Sequence, residues 1–184
     1  MERNVGSISK SSIWRNNLLK GGISVILVLL GTQNNSFHRL LEEIEKNVEN
    51  GNITEEVVIQ AGYTKFEPKN QLIKVFSTIP KKELDDLVEK ANLVISHGGV
   101  GSMMTANQKG KKVIAVPRYQ KYHEHVNDHQ VKTIEIFAQK GYVYQITEVQ
   151  ELSQALKNIG QFLPNKYQKD ENSNILKIIE NFIG

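Results

Sequence analysis

Leu93-Val94-Ile95-Ser96-His97-Gly98-Gly99-Val100-Gly101-Ser102 begins as an apolar strand, breaks at a Ser-His pair and passes through glycine into Met103-Met104-Thr105-Ala106, which reads as helix. Strand, glycine turn and helix start in that order leave backbone N–H groups free at the positive end of a helix, a setting that suits a phosphate. A tight strand-to-helix turn also needs glycine for steric reasons alone, so the turn by itself does not fix a ligand.

The alternation of strand and helix extends in both directions from this stretch. Ile23–Leu30 is a continuous apolar run of the fully buried strand kind, ending in Gly31-Thr32-Gln33. Phe37, Leu40, Leu41, Ile44 and Val48 recur at helical spacing, and Asn50-Gly51 closes that helix. Val57–Ile59 and Leu72–Phe76 read as the next strands, followed by a helix over Glu83–Lys90 and the strand Leu93–Ile95. A helix over Val100–Lys109, a strand over Lys112–Val116, a long helix over Val126–Gln139, a strand over Tyr142–Ile146 and a helix over Val149–Ile159 complete the pattern. The expected fold class is α/β, a Rossmann-like parallel sheet with helices on both faces. Ligands of such sheets sit off the carboxyl ends of the strands, where the strand order reverses. Both Gly31-Thr32 and the Gly98–Ser102 turn fall at that edge.

The 184 residues suffice for one well-buried domain, read as residues 23–184 after a leader of 1–22. A net charge of only +3 gives no footprint for bulk nucleic-acid binding. Without cysteine there is neither a disulfide framework nor a thiolate ligand or nucleophile, and a reducing cytoplasm fits. The Ile23–Leu30 run is far short of the roughly 20 residues that cross a bilayer, so a soluble chain is expected. In the leader, Ile13, Trp14, Leu18 and Leu19 lie among Lys10, Arg15 and Lys20. They read either as a short basic amphipathic helix for a membrane surface or partner, or as a frayed start outside the fold. The tail carries Ile175, Leu176, Ile178, Ile179, Phe182 and Ile183 as a wide apolar stripe, for packing on its own domain or on a second protein.

Between the fifth strand and the long helix, the segment 117–130 concentrates Arg118, Tyr119, Tyr122, His123, Glu124, His125, Asn127, Asp128, His129 and Gln130. His125 and His129 are four apart and on a helix would share a face, a spacing that zinc uses. There is no HExxH pattern and no third ligand beyond Glu124 or Asp128, so no metal site is expected. No serine sits in a nucleophile-elbow context. A Walker loop is absent, and Gly31 stands alone where a dinucleotide fingerprint would need three glycines. A hydrogen-bonding surface for a sugar or a nucleotide describes the cluster better, and with the glycine turn it makes a nucleotide-sugar site.

At these motifs the chain resembles the C-terminal, donor-binding half of family 28 glycosyltransferases of the GT-B fold. The resemblance covers about residues 24–160 and rests on Leu29-Leu30-Gly31-Thr32, Ala91 to Ser102, and Val116-Pro117-Arg118 followed by Glu124 to Gln130. Within the family it is most similar to the small stand-alone soluble subunit (PssE/EpsF-like) of two-component enzymes of exopolysaccharide and capsule synthesis. The soluble subunit of the dolichol-pathway N-acetylglucosaminyltransferase is a more distant relative. The resemblance implies a UDP-sugar donor, no cofactor and no metal. It places the diphosphate on Gly99 to Ser102, within a binding set of Gly31, Thr32, His97, Gly98, Gly99, Val100, Gly101, Ser102 and Arg118. The uracil would lie against Phe76 to Pro80, with Phe76 and Ile79 as contacts; Asp128, His129 and Gln130 would reach the sugar, and Glu124 and His125 complete the binding set. Where family members carry a ribose-binding carboxylate this chain has Thr105, which offers at most a weaker neutral hydrogen bond, so the ribose contact is either supplied by Asn107 or Glu124 or simply weaker. The general base and the lipid-linked acceptor would belong to a membrane-anchored partner, holding this subunit at the cytoplasmic face of the membrane. Inverting transfer of a hexose, galactose being common among the nearest relatives, is the implied activity. A non-catalytic, activity-enhancing subunit is the alternative.

Overall fold

The computed structural model describes residues 24–167; the apolar island at 13–19 and the tail stripe at 175–183 lie outside the described residues. Six strands form one sheet: β1 (Val25–Leu29), β2 (Glu56–Gln60), β3 (Ile73–Phe76), β4 (Ala91–Ser96), β5 (Lys112–Ala115) and β6 (Tyr144–Gln145). Their order is β3-β2-β1-β4-β5-β6, and every pairing is parallel. The chain therefore winds outward one way from β1, then returns to β4 and winds the other way. The reversal falls between β1 and β4, which is the expected ligand crevice of such a sheet.

Side chains on a strand alternate faces, and here both faces are buried. Ile26, Val28 and Leu30 join one core with Leu40, Leu41, Ile44 and Val48 of α1 (His38–Glu49) and Leu152 and Ala155 of α5 (Leu152–Asn158). Val25, Leu27 and Leu29 join the other. Its cover is Leu87 and Val88 of α2 (Lys81–Lys90), Met103 and Ala106 of α3 (Val100–Gln108), and Ile134 and Phe137 of α4 (His129–Gln139). A strand buried on both sides has no polar alternation to display, which is why β1 reads as an unbroken apolar run.

Three elements differ from the sequence pattern, each for a local reason. The helix expected from Val126 begins at His129: just before it the Asn127 side chain accepts from the His129 N–H in a local turn, and the N-cap residue Asp128 makes no side-chain cap bond. The sixth strand shrinks to Tyr144–Gln145, since the N–H groups of Gly141 and Tyr142 are committed to closing α4 on the carbonyls of Ala138 and Phe137. The 149–159 helix opens as a 3-10 turn, Val149–Glu151, set by a reciprocal capping box between Glu148 and Glu151.

Leu41 is fully buried in the α1 stripe that seals the first core. Leu41→Ala is expected to cost about 2–5 kcal/mol, read as a lower urea midpoint with an unchanged slope.

Candidate functional site

The crevice is assembled around a histidine. The His97 N–H donates to the Leu29 carbonyl across the β1–β4 pair, and ring Nδ1 lies 2.9 Å from the same oxygen. A carbonyl only accepts, so Nδ1 carries the proton and Nε2 is left as a bare acceptor. The ring is wedged between two glycines. A Cβ on Gly31 would come within 2.8 Å of ring Cε1, and one on Gly99 within 2.7 Å. Gly31 and Gly99 are thus set by the thickness of an imidazole, which the sequence, reading them as turn residues, did not reveal. Burial is the largest influence on His97 and lowers its pKa to about 4, with smaller downward pushes from Arg118 and His125. The hydrogen bond to Leu29 acts the other way without prevailing.

Beyond the ring, Gly98 turns the chain with φ +89° and α3 starts at Val100. Gly99 offers no side-chain cap, and the first turn holds no acidic residue. The first bond of the helix runs from the Met103 N–H to the Gly99 carbonyl, so the N–H groups of Val100, Gly101 and Ser102 point out of the helix end unpaired within it. Gly101 is exposed and a Cβ there would meet only open space. The site can therefore take an anion at the floor of the crevice. Thr105 lies one turn further on and is half-buried.

The other wall is the segment after β5. Arg118 is fully buried, its Nη2 donating to the Leu30 carbonyl at 2.9 Å. Its Nε and Nη1 have no partner among the described residues. Burial pulls its pKa to about 10 against the support of Glu124, so it stays a cation at neutral pH beneath the crevice floor. Glu124 is also buried, and both its oxygens are taken. Arg39 Nε donates to Oε1 at 3.0 Å, and Arg39 Nη2 to Oε2 at 2.9 Å. The Tyr119 N–H donates to Oε2 as well.

The expectation that Asn107 or Glu124 holds a ribose meets a structural obstacle at both. Asn107 is buried and saturated, donating to the carbonyls of Tyr142 and Asn165 and accepting from the Tyr167 N–H. The shared-face geometry for zinc fails too, because His125 precedes the helix that His129 begins. Among the described residues no cluster of three potential metal ligands occurs.

His125, His129 and Gln130 are half-buried and Asp128 is exposed; one Asp128 oxygen accepts from the Gln120 N–H. Gln130 Oε1 and Ser36 Oγ are buried without a partner among the described residues. The ends of β1, β4 and β5 thus bring Gly31, His97, Gly98, Gly99 and Arg118 together, and Thr32 lies exposed beside Gly31. Phe76 at the end of β3 and Ile79 after it stand on the α2–α3 face of the sheet with Leu84, Val100 and Met104, with β2 and β1 between β3 and β4.

Arg39 was not singled out by sequence. The available signal is its place in the first turn of α1, where the helix dipole disfavours a cation that lacks acidic partners.

Residues 25–182 match the model of the glycosyltransferase family 28 C-terminal domain. No curated protein sequence matches the chain. Among solved structures, the NMR solution structure of ALG13 is similar at 17% identity with a TM-score of 0.55, over 88% of this chain and 98% of that one. The glycotransferase of kitacinnamycin is similar at 17% identity and TM-score 0.57, over 89% of this chain. A putative UDP-N-acetylglucosamine 2-epimerase from Listeria monocytogenes is similar at 14% identity and TM-score 0.57, over 84% of this chain. The match spans 38% of the kitacinnamycin enzyme and 42% of the epimerase. At these identities the likeness is one of fold: a Rossmann-like sheet forming a single C-terminal-type half of a GT-B enzyme.

The His97 ring gives a pH signature. Its pKa of about 4 lies below the ordinary 6.5, so on acidification the unfolded chain takes up this proton first. The contribution is complete above the ordinary value and is lost as pH falls toward the folded one. Between about pH 7 and pH 5 it removes about 2 kcal/mol of stability. Urea unfolding at the two pH values should show that loss, and His97→Gln should flatten it.

Proposed function

Because the chain belongs to the glycosyltransferase family 28 C-terminal domain family, we propose that it is the donor-binding half of a two-component inverting glycosyltransferase that uses a UDP-sugar. The observation that carries this reading is the uncapped start of α3 at the point where strand order reverses. Three outward N–H groups and the positive helix end suit a diphosphate without a side-chain cation. The bare Nε2 of His97 is a second polar group in the same crevice, and the unpartnered Gln130 Oε1 suits a sugar hydroxyl.

In this mechanism an acceptor hydroxyl attacks the anomeric carbon from the face opposite the diphosphate. The new C–O bond forms as the bond to the phosphate oxygen breaks, and UDP leaves with the electron pair. Charge growing on that phosphate is stabilised by the N–H groups of Val100, Gly101 and Ser102. The hydroxyl proton passes to a base on the acceptor-binding partner. Gly31, Thr32 and Gly98 shape the crevice, and His125, Asp128, His129 and Gln130 face the sugar. Phe76 and Ile79 meet the uracil, with Thr105 as a neutral group near the ribose. The chemistry uses no metal.

The match over 98% of ALG13 supports a half that exists as a chain of its own. Among the described residues no helix is long and apolar enough to cross a membrane, so this reading draws its membrane attachment from a partner. By resemblance to the PssE/EpsF-like subunits, the partner is membrane-anchored and binds a lipid-linked saccharide, the hexose is galactose, and the product is exopolysaccharide or capsule. The alternative is an enhancing subunit that binds no donor, favoured by Thr105 standing where a carboxylate would hold the ribose.

Gly101→Asp separates these readings. An acid at this open position in the first turn favours the helix by about 0.3–1 kcal/mol, so the melting temperature should hold or rise. Calorimetry should show at least tenfold weaker UDP binding, since the carboxylate occupies the diphosphate seat. A wild-type chain that binds no UDP at millimolar concentration, with partner-complex activity indifferent to Gly101→Asp, would establish the enhancing role instead.

A further inference from the structure

Arg39 reaches from the first turn of α1 into the loop after β5 and engages four acceptors. Its Nε and Nη2 hold the two oxygens of Glu124, Nη2 also donates to the Pro117 carbonyl at 3.2 Å, and Nη1 meets Glu148 Oε2 at 3.1 Å. The pair is well shielded, with side-chain exposures of 16% for Arg39 and 6% for Glu124. Tyr122 stacks over the guanidinium at 4.4 Å, and Phe37 lies between Arg39 and Arg118 at 5.4 and 5.3 Å from their respective Cζ atoms. Glu124 is therefore bonded through both oxygens to Arg39, with the Arg118 cation near enough to feel its charge, and its Oε2 also fixes the Tyr119 N–H. From that anchor the chain turns back at His123, with φ +58°, and the Gln120 N–H ties down Asp128.

We propose that Glu124 and Arg39 are positioning residues, a bidentate clamp that holds the 125–130 segment against the sugar of the donor without touching the donor. The inference deepens the donor-binding reading and rests on it. It also replaces a sugar or ribose contact for Glu124, whose two oxygens are already occupied. The sugar-facing wall is thus held by α1, an element of the opposite side of the sheet, while the diphosphate seat on α3 is independent of the clamp. Arg39→Lys keeps the charge but loses the planar fork, so the clamp predicts that lysine does not substitute.

The test uses the full chain as wild type, Glu124→Gln, Arg39→Ala and Arg39→Lys. Calorimetry compares UDP with UDP-galactose, UDP-glucose, UDP-N-acetylglucosamine and UDP-glucuronate, and amide hydrogen exchange follows residues 117–130 and 96–103. The clamp predicts that all three variants keep UDP affinity within about twofold and lose the affinity that the best sugar adds in wild type. Exchange in 117–130 should rise at least tenfold while 96–103 stays unchanged. UDP and UDP-sugar weakened alike would overturn the inference, as would full rescue by lysine, unchanged exchange in 117–130, or a wild type that gains nothing from any sugar. Failure of wild type to bind UDP at all would instead remove the donor reading, and the exchange data would still judge the clamp.

Discussion

The site depends on one wedge: the His97 ring between Gly31 and Gly99, hydrogen-bonded to the Leu29 carbonyl. It sits where the two halves of the sheet meet, so it sets the spacing between the β1 and β4 turns. A larger residue at either glycine would push the ring or the backbone out of place. Burial disfavours a charged ring, whose Nε2 would then become a second donor. The imidazole therefore works here as a neutral spacer, and its chemistry follows from its burial.

Electrostatics are handled differently on the two walls. The α3 side gathers partial positive charge from the helix end and holds no fixed cation or acid in its first turn. The β5 side carries the formal cations Arg39, Arg118 and Lys121, with Glu124 and Glu148 beside them. Arg118 lies beneath the surface and presents no face to solvent, although sequence placed it among the binding residues. Its two unpartnered donors make it a source of buried positive potential under the crevice floor.

The fold was legible in the sequence because both faces of β1 are buried. The run from Val25 to Leu30 then has only one reading, and Phe37, Leu40, Leu41 and Ile44 mark the covering helix by period. The carboxyl-edge location of Gly98–Ser102 followed from the same alternation. Less visible was whatever depends on contacts between distant segments. Glu124 looked like a ligand because a carboxylate in a polar loop has no sequence mark of its partner, and Arg39 lies 85 residues away. Asn107 looked available for the same reason, although its amide is spent on the chain around Tyr142 and Tyr167. The start of α4 shifted because Asn127 folds back on the His129 N–H in a local turn, which periodicity does not register.

The β1–β4 pairing has a consequence for how the chain acquires its crevice. His97 and Leu29 are 68 residues apart, and the intervening chain contributes α1, β2, β3 and α2 as well as β4 itself. Closing a loop of that length costs entropy before any contact repays it, and parallel pairings of this kind form slowly. Neither wall exists in a nascent chain that has not yet delivered β4, whatever local helix it has formed. The crevice is thus a product of late, long-range closure, and the chain passes through an interval in which the apolar strand β1 is made but has no neighbour on its β4 side. In that interval the β4 side of β1 is an unpaired edge open to pairing with the wrong chain.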